Sequence, residues 1–319
     1  MRIMVIAADS NLVGLAVALQ LEETETRLIT IGNNWAGCGE GLVGNLAIQP
    51  GDTQALINAV KVWEPDLVVT DYAHPALPLA IAPGKLSGMS AISTVTKNSG
   101  EYAGAVQVLV GHLDIDSPVY GYWDGMVLKA VVNAQVCIGH HAGGLGRQIP
   151  SAYLIKAAEV PDAPKVYGLL KSTQHQGFVR ISAEGLSFGC PPGVLAGIRE
   201  LLIGKLEGLF CVGDASIRTD TAISVALTTP PYPEKGNEVR AWEVEFGALR
   251  HLYLQAAGKF HTGVCEGVIA WVTARGTSRY EASRRVMRTL SRLDLAEKQY
   301  RVDLRTGIYT QFSYLLCSG

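Results

Sequence analysis

The residues best placed to do chemistry lie in one glycine-rich segment, His140-His141-Ala142-Gly143-Gly144-Leu145-Gly146-Arg147. Successive glycines can turn several backbone N–H groups toward one point, a nest that takes a phosphate or a carboxylate. Arg147, and His140 and His141 when protonated, would add charge-assisted hydrogen bonds to the same anion. The competing reading is a structural turn whose glycines serve only backbone geometry, with both histidines on the surface. Asp71 and His74 form a second candidate pair. They follow the apolar run 66–70, and open α/β sheets bind ligands at the C-terminal ends of their strands. A solvated loop His and Asp is the plainer alternative. No GxSxG elbow, HExxH pair or P-loop occurs, so no Ser or Cys nucleophile is assigned and the catalytic residues stay open.

An α/β scaffold is expected to carry these segments. Residues 2–6 read as an apolar strand and 7–11 as a turn. Leu12, Leu15, Ala16, Leu19 and Leu21 then form an approximately helical face, ahead of a β-type run at 27–31. Asp52 is the expected N-cap of a second helix at 53–62, and Pro65 opens the buried strand 66–70. This pattern starts a doubly wound parallel-sheet domain over residues 1–97. The glycines at 37, 39, 41 and 44 read as a flexible surface loop.

Asp124-Gly125, set between the β-type runs 119–123 and 126–136, is a hairpin signature because its tight turn needs positive φ. After the glycine-rich segment come a polar stretch at 161–164, a strand at 177–181 and a helix at 194–202. Strands at 222–228 and 267–274 precede a helix at 279–293. Ser278 opens that helix with Glu281 three residues later, a capping box.

With 319 residues, 48% hydrophobic and 18% charged, the chain can bury a sizeable core in two or three packed units. A net charge of −2 argues against a general nucleic-acid or anionic-membrane surface. Ala7-Ala8-Asp9-Ser10 lacks the glycines of a dinucleotide fingerprint, so NAD is not expected. The six cysteines form no CxxC pair and read as reduced thiols of an intracellular protein. Residues 1–6 read as a strand rather than a signal peptide. The apolar stretch 67–82 is too interrupted by Asp71, His74 and prolines to span a bilayer, so a cytoplasmic location is expected. Arg279, Arg284, Arg285, Arg288 and Arg292 read as the solvated face of the last helix, with anion recruitment the lesser alternative.

Several segments, taken together, resemble phosphoribosylamine–glycine ligase, a member of the ATP-grasp superfamily. His141-Ala142-Gly143-Gly144-Leu145-Gly146 is similar to that family's Asn-Thr-Gly-Gly-Met-Gly loop, and Phe188-Gly189-Cys190-Pro191 to its Phe-Gly-Asp-Pro. Residues 276–282 resemble its Gly-Asp-Thr-Leu-Glu-Glu-Ala, and Tyr300-Arg301-Val302-Asp303 its Tyr-Arg-x-Asp. Pro230-Pro231-Tyr232-Pro233 stands where the family carries a Tyr-Pro turn. The resemblance implies an N-terminal doubly wound domain over 1–97, a shortened ATP-grasp-like central α+β domain over 98–213 and a C-terminal α+β domain over 214–319. It also implies an amino acid, glycine by analogy, and a phosphorylated, nucleotide-like acceptor as partners in C–N bond formation in purine biosynthesis.

The departures bear on the energy source. The family's opening Gly-Ser-Gly-Gly-Arg-Glu-His is Ala7-Ala8-Asp9-Ser10-Asn11-Leu12-Val13 here. The interval 98–119, where the ATP lid belongs, is far below the roughly fifty residues at which independent domains begin. Ala183 and Gly185 stand where the family has its magnesium ligands and offer none of the hard oxygen donors magnesium needs; an alignment shifted by one residue would leave Glu184 as a single carboxylate, still a poor magnesium-ATP site. The family implies ATP and magnesium, yet their site is missing from the pattern, so no cofactor is assigned. Three functions remain open: a C–N bond-forming enzyme fed with an already activated substrate, a degenerate homologue that only binds, and an ATP-dependent ligase.

Overall fold

The computed structural model describes residues 1–8, 10–32, 37–72, 86–88, 108–109, 113, 115–137, 151–173, 176–183, 185–229, 240–259, 261–262, 268–295, 298–302 and 304. It begins with β1 (Arg2–Ala7), α1 (Val13–Leu21), β2 (Glu25–Ile31), β3 (Gly44–Ile48), α2 (Thr53–Trp63), β4 (Leu67–Thr70) and β5 (Leu86–Gly88). The five strands make a parallel sheet in the order β3-β2-β1-β4-β5. Alternation along β1 divides its side chains between two layers. Met4 and Ile6 meet Leu56 and Val60 of α2, whereas Ile3, Val5 and Ala7 join α1 in the main core. Asp52 caps α2 as expected, accepting from the Ala55 N–H at 3.0 Å.

α1 is buried from Val13 through Leu19, more than one sheet can cover. Its second neighbour is a strand of the other sheet. The chain continues through β6 (Val108–Leu109), β7 (Val119–Trp123), β8 (Leu128–Val136), β9 (Ala152–Ala157), α3 (Ala163–Thr173), β10 (Gly177–Ser182), β11 (Gly185–Phe188) and α4 (Pro192–Leu201). It then forms β12 (Thr221–Thr228), β13 (Arg240–Ala241), α5 (Phe246–Leu249), β14 (Leu252–Leu254), β15 (His261–Thr262), β16 (Val268–Gly276) and α6 (Arg279–Arg292). Nine of these strands build one sheet, β14-β16-β12-β9-β8-β7-β10-β11-β6, that runs without a break across residue 213. The fold is therefore mixed α/β, a parallel and an antiparallel sheet joined through α1 against β14.

The Asp124-Gly125 hairpin forms between β7 and β8, with Gly125 at φ +97° and the Asp124 carboxylate accepting from the Met126 and Val127 N–H groups at 2.8 Å. α3 is a helix that the prolines at 161 and 164 conceal in the sequence. Pro164 lies in its first turn, where a missing N–H costs nothing, and only Val166 and Leu170 are fully buried on it. The strand β9 is a further element beyond the sequence reading. Ser278 caps α6 by accepting from the Glu281 N–H at 3.3 Å, but the Glu281 carboxylate returns to the Thr277 N–H and hydroxyl at 2.9 Å. The second arm of the box is thus shifted by one residue.

The glycines from 37 to 44 do not form a free surface loop. Cys38 is buried, the Gly39 N–H donates to the Ala257 carbonyl at 3.0 Å and the Lys259 N–H to the Glu40 carbonyl at 2.9 Å. Gly39 and Gly41 take φ near +75°, and Gly44 begins β3. The loop is a strut between the sheets. Most of 98–119 lies outside the described residues. Among the described residues no helix is long and apolar enough to cross a membrane.

Candidate functional site

Of the residues singled out in the sequence, His74, His140, His141, Gly143, Gly144, Gly146 and Arg147 lie outside the described residues, and Asp71 lies within them. The roots of the glycine-rich segment are described. The Cys137 N–H donates to the Ala152 carbonyl at 2.8 Å, and the Ala226 N–H to the Ser151 carbonyl at 2.9 Å, so residues 138–150 leave and re-enter neighbouring antiparallel strands. Arg301, only 2% exposed, donates from its guanidinium to the Cys137 carbonyl. Gln299, two residues earlier, pairs with Thr228 at the end of β12. Two segments that carry the resemblance therefore meet at one loop root.

Asp71 follows β4 at the C-terminal edge of the parallel sheet. Its carboxylate accepts from the Ala8 N–H at 2.6 Å and fixes the turn after β1. From that turn a hydrogen-bonded chain crosses to the antiparallel sheet. The Tyr253 hydroxyl donates to the Asn11 carbonyl at 3.2 Å, the Gln255 amide donates to Asn11 Oδ1 at 3.1 Å, and the Trp271 indole donates to Gln255 Oε1 at 3.0 Å. No sequence motif marks these four side chains, which come from residues 11 to 271.

The Phe188–Pro191 segment leads into α4 beside this chain. Gly189 takes φ +139° and its N–H donates to the Phe178 carbonyl at 2.7 Å. Around it stand Cys190, Tyr120, Tyr153 and Arg180. Burial pushes the Cys190 thiol well above its usual range and the Tyr153 phenol up to about 12. Burial also raises the Tyr120 phenol, although the Arg180 guanidinium hydrogen-bonded to it pulls the other way. All three stay protonated at neutral pH. They offer donors and shape, not a base.

Ala183 and Gly185 flank the tight turn between β10 and β11, in pairing with Leu113 and Ser182. They present a methyl group and a hydrogen where the resemblance places magnesium ligands, so the described residues at that turn do not fit the metal. Among the described residues no three His, Cys, Asp or Glu side chains gather as a metal site. Of the other segments of the resemblance, 230–233 lies outside the described residues and 276–282 has a packing reason. A Cβ on Gly276 would lie 2.7 Å from the Ala282 nitrogen, so glycine is needed for α6 to fold back on β16.

This arrangement of sheets is similar to a solved structure of phosphoribosylamine–glycine ligase from Thermotoga maritima. The TM-score is 0.57 at 12% identity, over 95% of this chain and 100% of that one. The likeness is one of fold. Weaker likenesses are glycinamide-RNase-transformylase T from Mycobacterium tuberculosis and the phosphoribosylaminoimidazole carboxylase ATPase subunit from Aquifex aeolicus. Their TM-scores are 0.49 and 0.48 at 13% and 8% identity, each over 92% of this chain and 100% of the other. No family model matches the sequence, and no curated protein matches it.

Proposed function

We propose that this chain is a ligase-like protein that joins an amino acid, glycine by analogy, to a phosphorylated, nucleotide-like acceptor. In this reading the acceptor's phosphate rests on the nest at Gly143, Gly144 and Gly146, with Arg147, His140 and His141 as charged neighbours. The carrying observation is the convergence at Cys137, where Arg301 anchors the root of that loop from a segment 164 residues away. The acceptor amine attacks the acyl carbon, the leaving group departs with its bonding pair, and the amine proton passes to solvent. Because Ala183 and Gly185 supply no metal oxygen, activation of the acyl group comes from an already activated donor. The three-part division at residues 97 and 213 and a cytoplasmic location belong to the same proposal.

A second reading, a homologue that binds but does not catalyse, is favoured by one observation: Cys190, Tyr120 and Tyr153, buried together at the Phe188–Pro191 segment, are all held protonated. One pair of measurements separates the readings. Ribose 5-phosphate affinity measured by calorimetry should fall in Gly144→Val, which places a β-branched residue in the nest. Mass spectrometry should then find an amide product when an acyl-activated glycine and phosphoribosylamine are supplied. Binding without product leaves the binder. Turnover that requires magnesium and ATP restores the ATP-dependent ligase of purine biosynthesis, and unchanged affinity in Gly144→Val removes the nest from the site.

A further inference from the structure

At the other end of the nine-stranded sheet lies a cavity of about 650 Å³, within the range of small-molecule sites. Strand register gives the separation. Ala152, at the loop root, lies opposite Val225, whereas Lys156 lies opposite Thr221, which faces Gly276 at the cavity end. Four residues of strand, roughly 13 Å at 3.3 Å each, part the two ends.

Six guanidiniums line the cavity, those of Arg199, Arg218, Arg250, Arg275, Arg285 and Arg288, against the two carboxylates of Glu22 and Glu200. They come from α4, β16, α6 and two connecting segments, so no local helical pattern explains their meeting. Part of the charge is offset within the protein. Arg199 faces Glu22 at 3.7 Å, Arg275 faces Asp220 at 3.2 Å and Arg285 faces Glu281 at 2.6 Å. The C-termini of α1 and α4 add a partial negative charge of about half a unit each. Arg218, Arg250 and Arg288 have no carboxylate partner among the described residues, and they share the space with the other three. Burial raises the Glu200 carboxyl pKa, which weakens it as a counter-charge.

His251 reports the resulting field from inside the cavity. Its Nδ1 is buried without a hydrogen-bond partner among the described residues. Burial and then the charges of Arg250, Arg199, Arg288 and Arg285 hold its pKa below the ordinary imidazole value. Among the described residues, three guanidiniums without a carboxylate partner therefore share one concave space with the His251 ring, whose Nδ1 is buried behind its surface. We infer that this cavity binds a small polyanion, a ligand carrying two or more phosphate groups, at a site separate from the glycine-rich loop. Guanidiniums bind phosphate through paired, parallel N–H donors, and three of them provide for several oxygens at once. The chain's net charge of −2 makes this a local feature rather than a basic surface suited to nucleic acid.

The test is calorimetric titration of the full chain with sodium tripolyphosphate in dilute neutral buffer without magnesium. The expected result is saturable binding, weakened about tenfold by Arg250→Ser and about tenfold again by Arg288→Ser, as loss of one charge-assisted contact implies. Both arginines are exposed, so the variants should keep the parent's circular dichroism melting curve. Arg147→Ala, at the other site, should leave the affinity as it is, whether or not the loop binds an acceptor. As a readout independent of those variants, tripolyphosphate should shift the His251 imidazole proton resonance, identified with His251→Gln. No binding by the parent, equal affinity in the arginine variants, an unmoved His251 resonance, or binding of single-stranded RNA in place of tripolyphosphate would each overturn the inference.

Discussion

Replacing Gly14 with alanine tests the junction that joins the two sheets. A Cβ at Gly14 would stand 2.3 Å from Tyr253 Cδ1 and 2.6 Å from the Leu254 carbonyl oxygen. Neither neighbour can withdraw easily. The Tyr253 ring is 1% exposed and its hydroxyl is bonded to the Asn11 carbonyl, while the Leu254 carbonyl belongs to β14. Overpacking of this kind costs about 1–3 kcal/mol, and contact with backbone puts it at the upper end. Loss of the Tyr253–Asn11 bond adds about 1 kcal/mol. Alanine returns about 1 kcal/mol through its helix propensity, leaving a net loss of roughly 2–3 kcal/mol. Urea unfolding followed by tryptophan fluorescence measures it. Gly168→Ala is the control, because Gly168 lies on the exposed side of α3 with nothing within 4 Å of its added Cβ. That change should stabilise by about 0.4–1 kcal/mol. If Gly14→Ala also stabilises, α1 does not rest on β14 and the joint packing of the two sheets is wrong.

Acid stability offers a second measurement, at Asp124. Burial pushes its carboxyl up, but the Val127 and Met126 N–H groups and the Lys129 ammonium at 3.0 Å outweigh it, so its pKa lies below the ordinary value. A depressed folded pKa gives stability that is full above the unfolded value near 4 and fades as pH falls through the folded one. The stability gap between the parent and Asp124→Asn should thus be constant from neutral pH to about 4 and narrow below it. Tyr153, with its phenol near 12, should be only about a tenth ionised at pH 11, where an ordinary phenol is mostly phenolate, and comparison of ultraviolet titrations of the parent and Tyr153→Phe tests this. Arg301→Met leaves the Cys137 carbonyl without its guanidinium donor and should cost about 1–3 kcal/mol in urea unfolding.

Features set by contacts a few residues apart were legible in the sequence. The Asp52 cap, the Asp124-Gly125 hairpin and the Ser278 cap each depend on neighbours within three positions. The parallel sheet followed from its runs of apolar residues. What escaped depends on distant partners. α3 hid behind two prolines because its interior has only two fully buried residues, and the Gly37–Gly44 strut is fixed by backbone bonds to Ala257 and Lys259. The cationic cavity is the sharpest case. The arginines of the last helix suggested a solvated face, and only the folded chain brings Arg285 and Arg288 beside Arg199, Arg218 and Arg250. Of the residues singled out in the glycine-rich segment and after the strand 66–70, Asp71 is the one within the described residues, where it holds the first turn through Ala8.

α4 ties the two ends of the sheet together, and two glycines in it make the tie rigid. A Cβ at Gly193 would lie 2.5 Å from the Trp271 ring, and one at Gly197 2.0 Å from Ile155 Cδ1. Glycine inside a helix costs about 1 kcal/mol relative to alanine, so these positions give up propensity for close approach to β9 and β16. The ten-residue helix spans roughly 15 Å, with Cys190 just ahead of its start and Arg199 near its end. Any outward step at Gly197 must therefore move both. Gly197→Ala should expose Cys190, whose burial and raised pKa should make it slow to alkylate in the parent, and also withdraw Arg199 from the cavity. Alkylation by iodoacetamide, mapped to the Cys190 peptide by mass spectrometry, should quicken, and tripolyphosphate affinity should fall in the same variant. If the variant stays folded and Cys190 remains as unreactive as in the parent, Ile155 yields to the new methyl group and α4 is not the rigid link between the two ends.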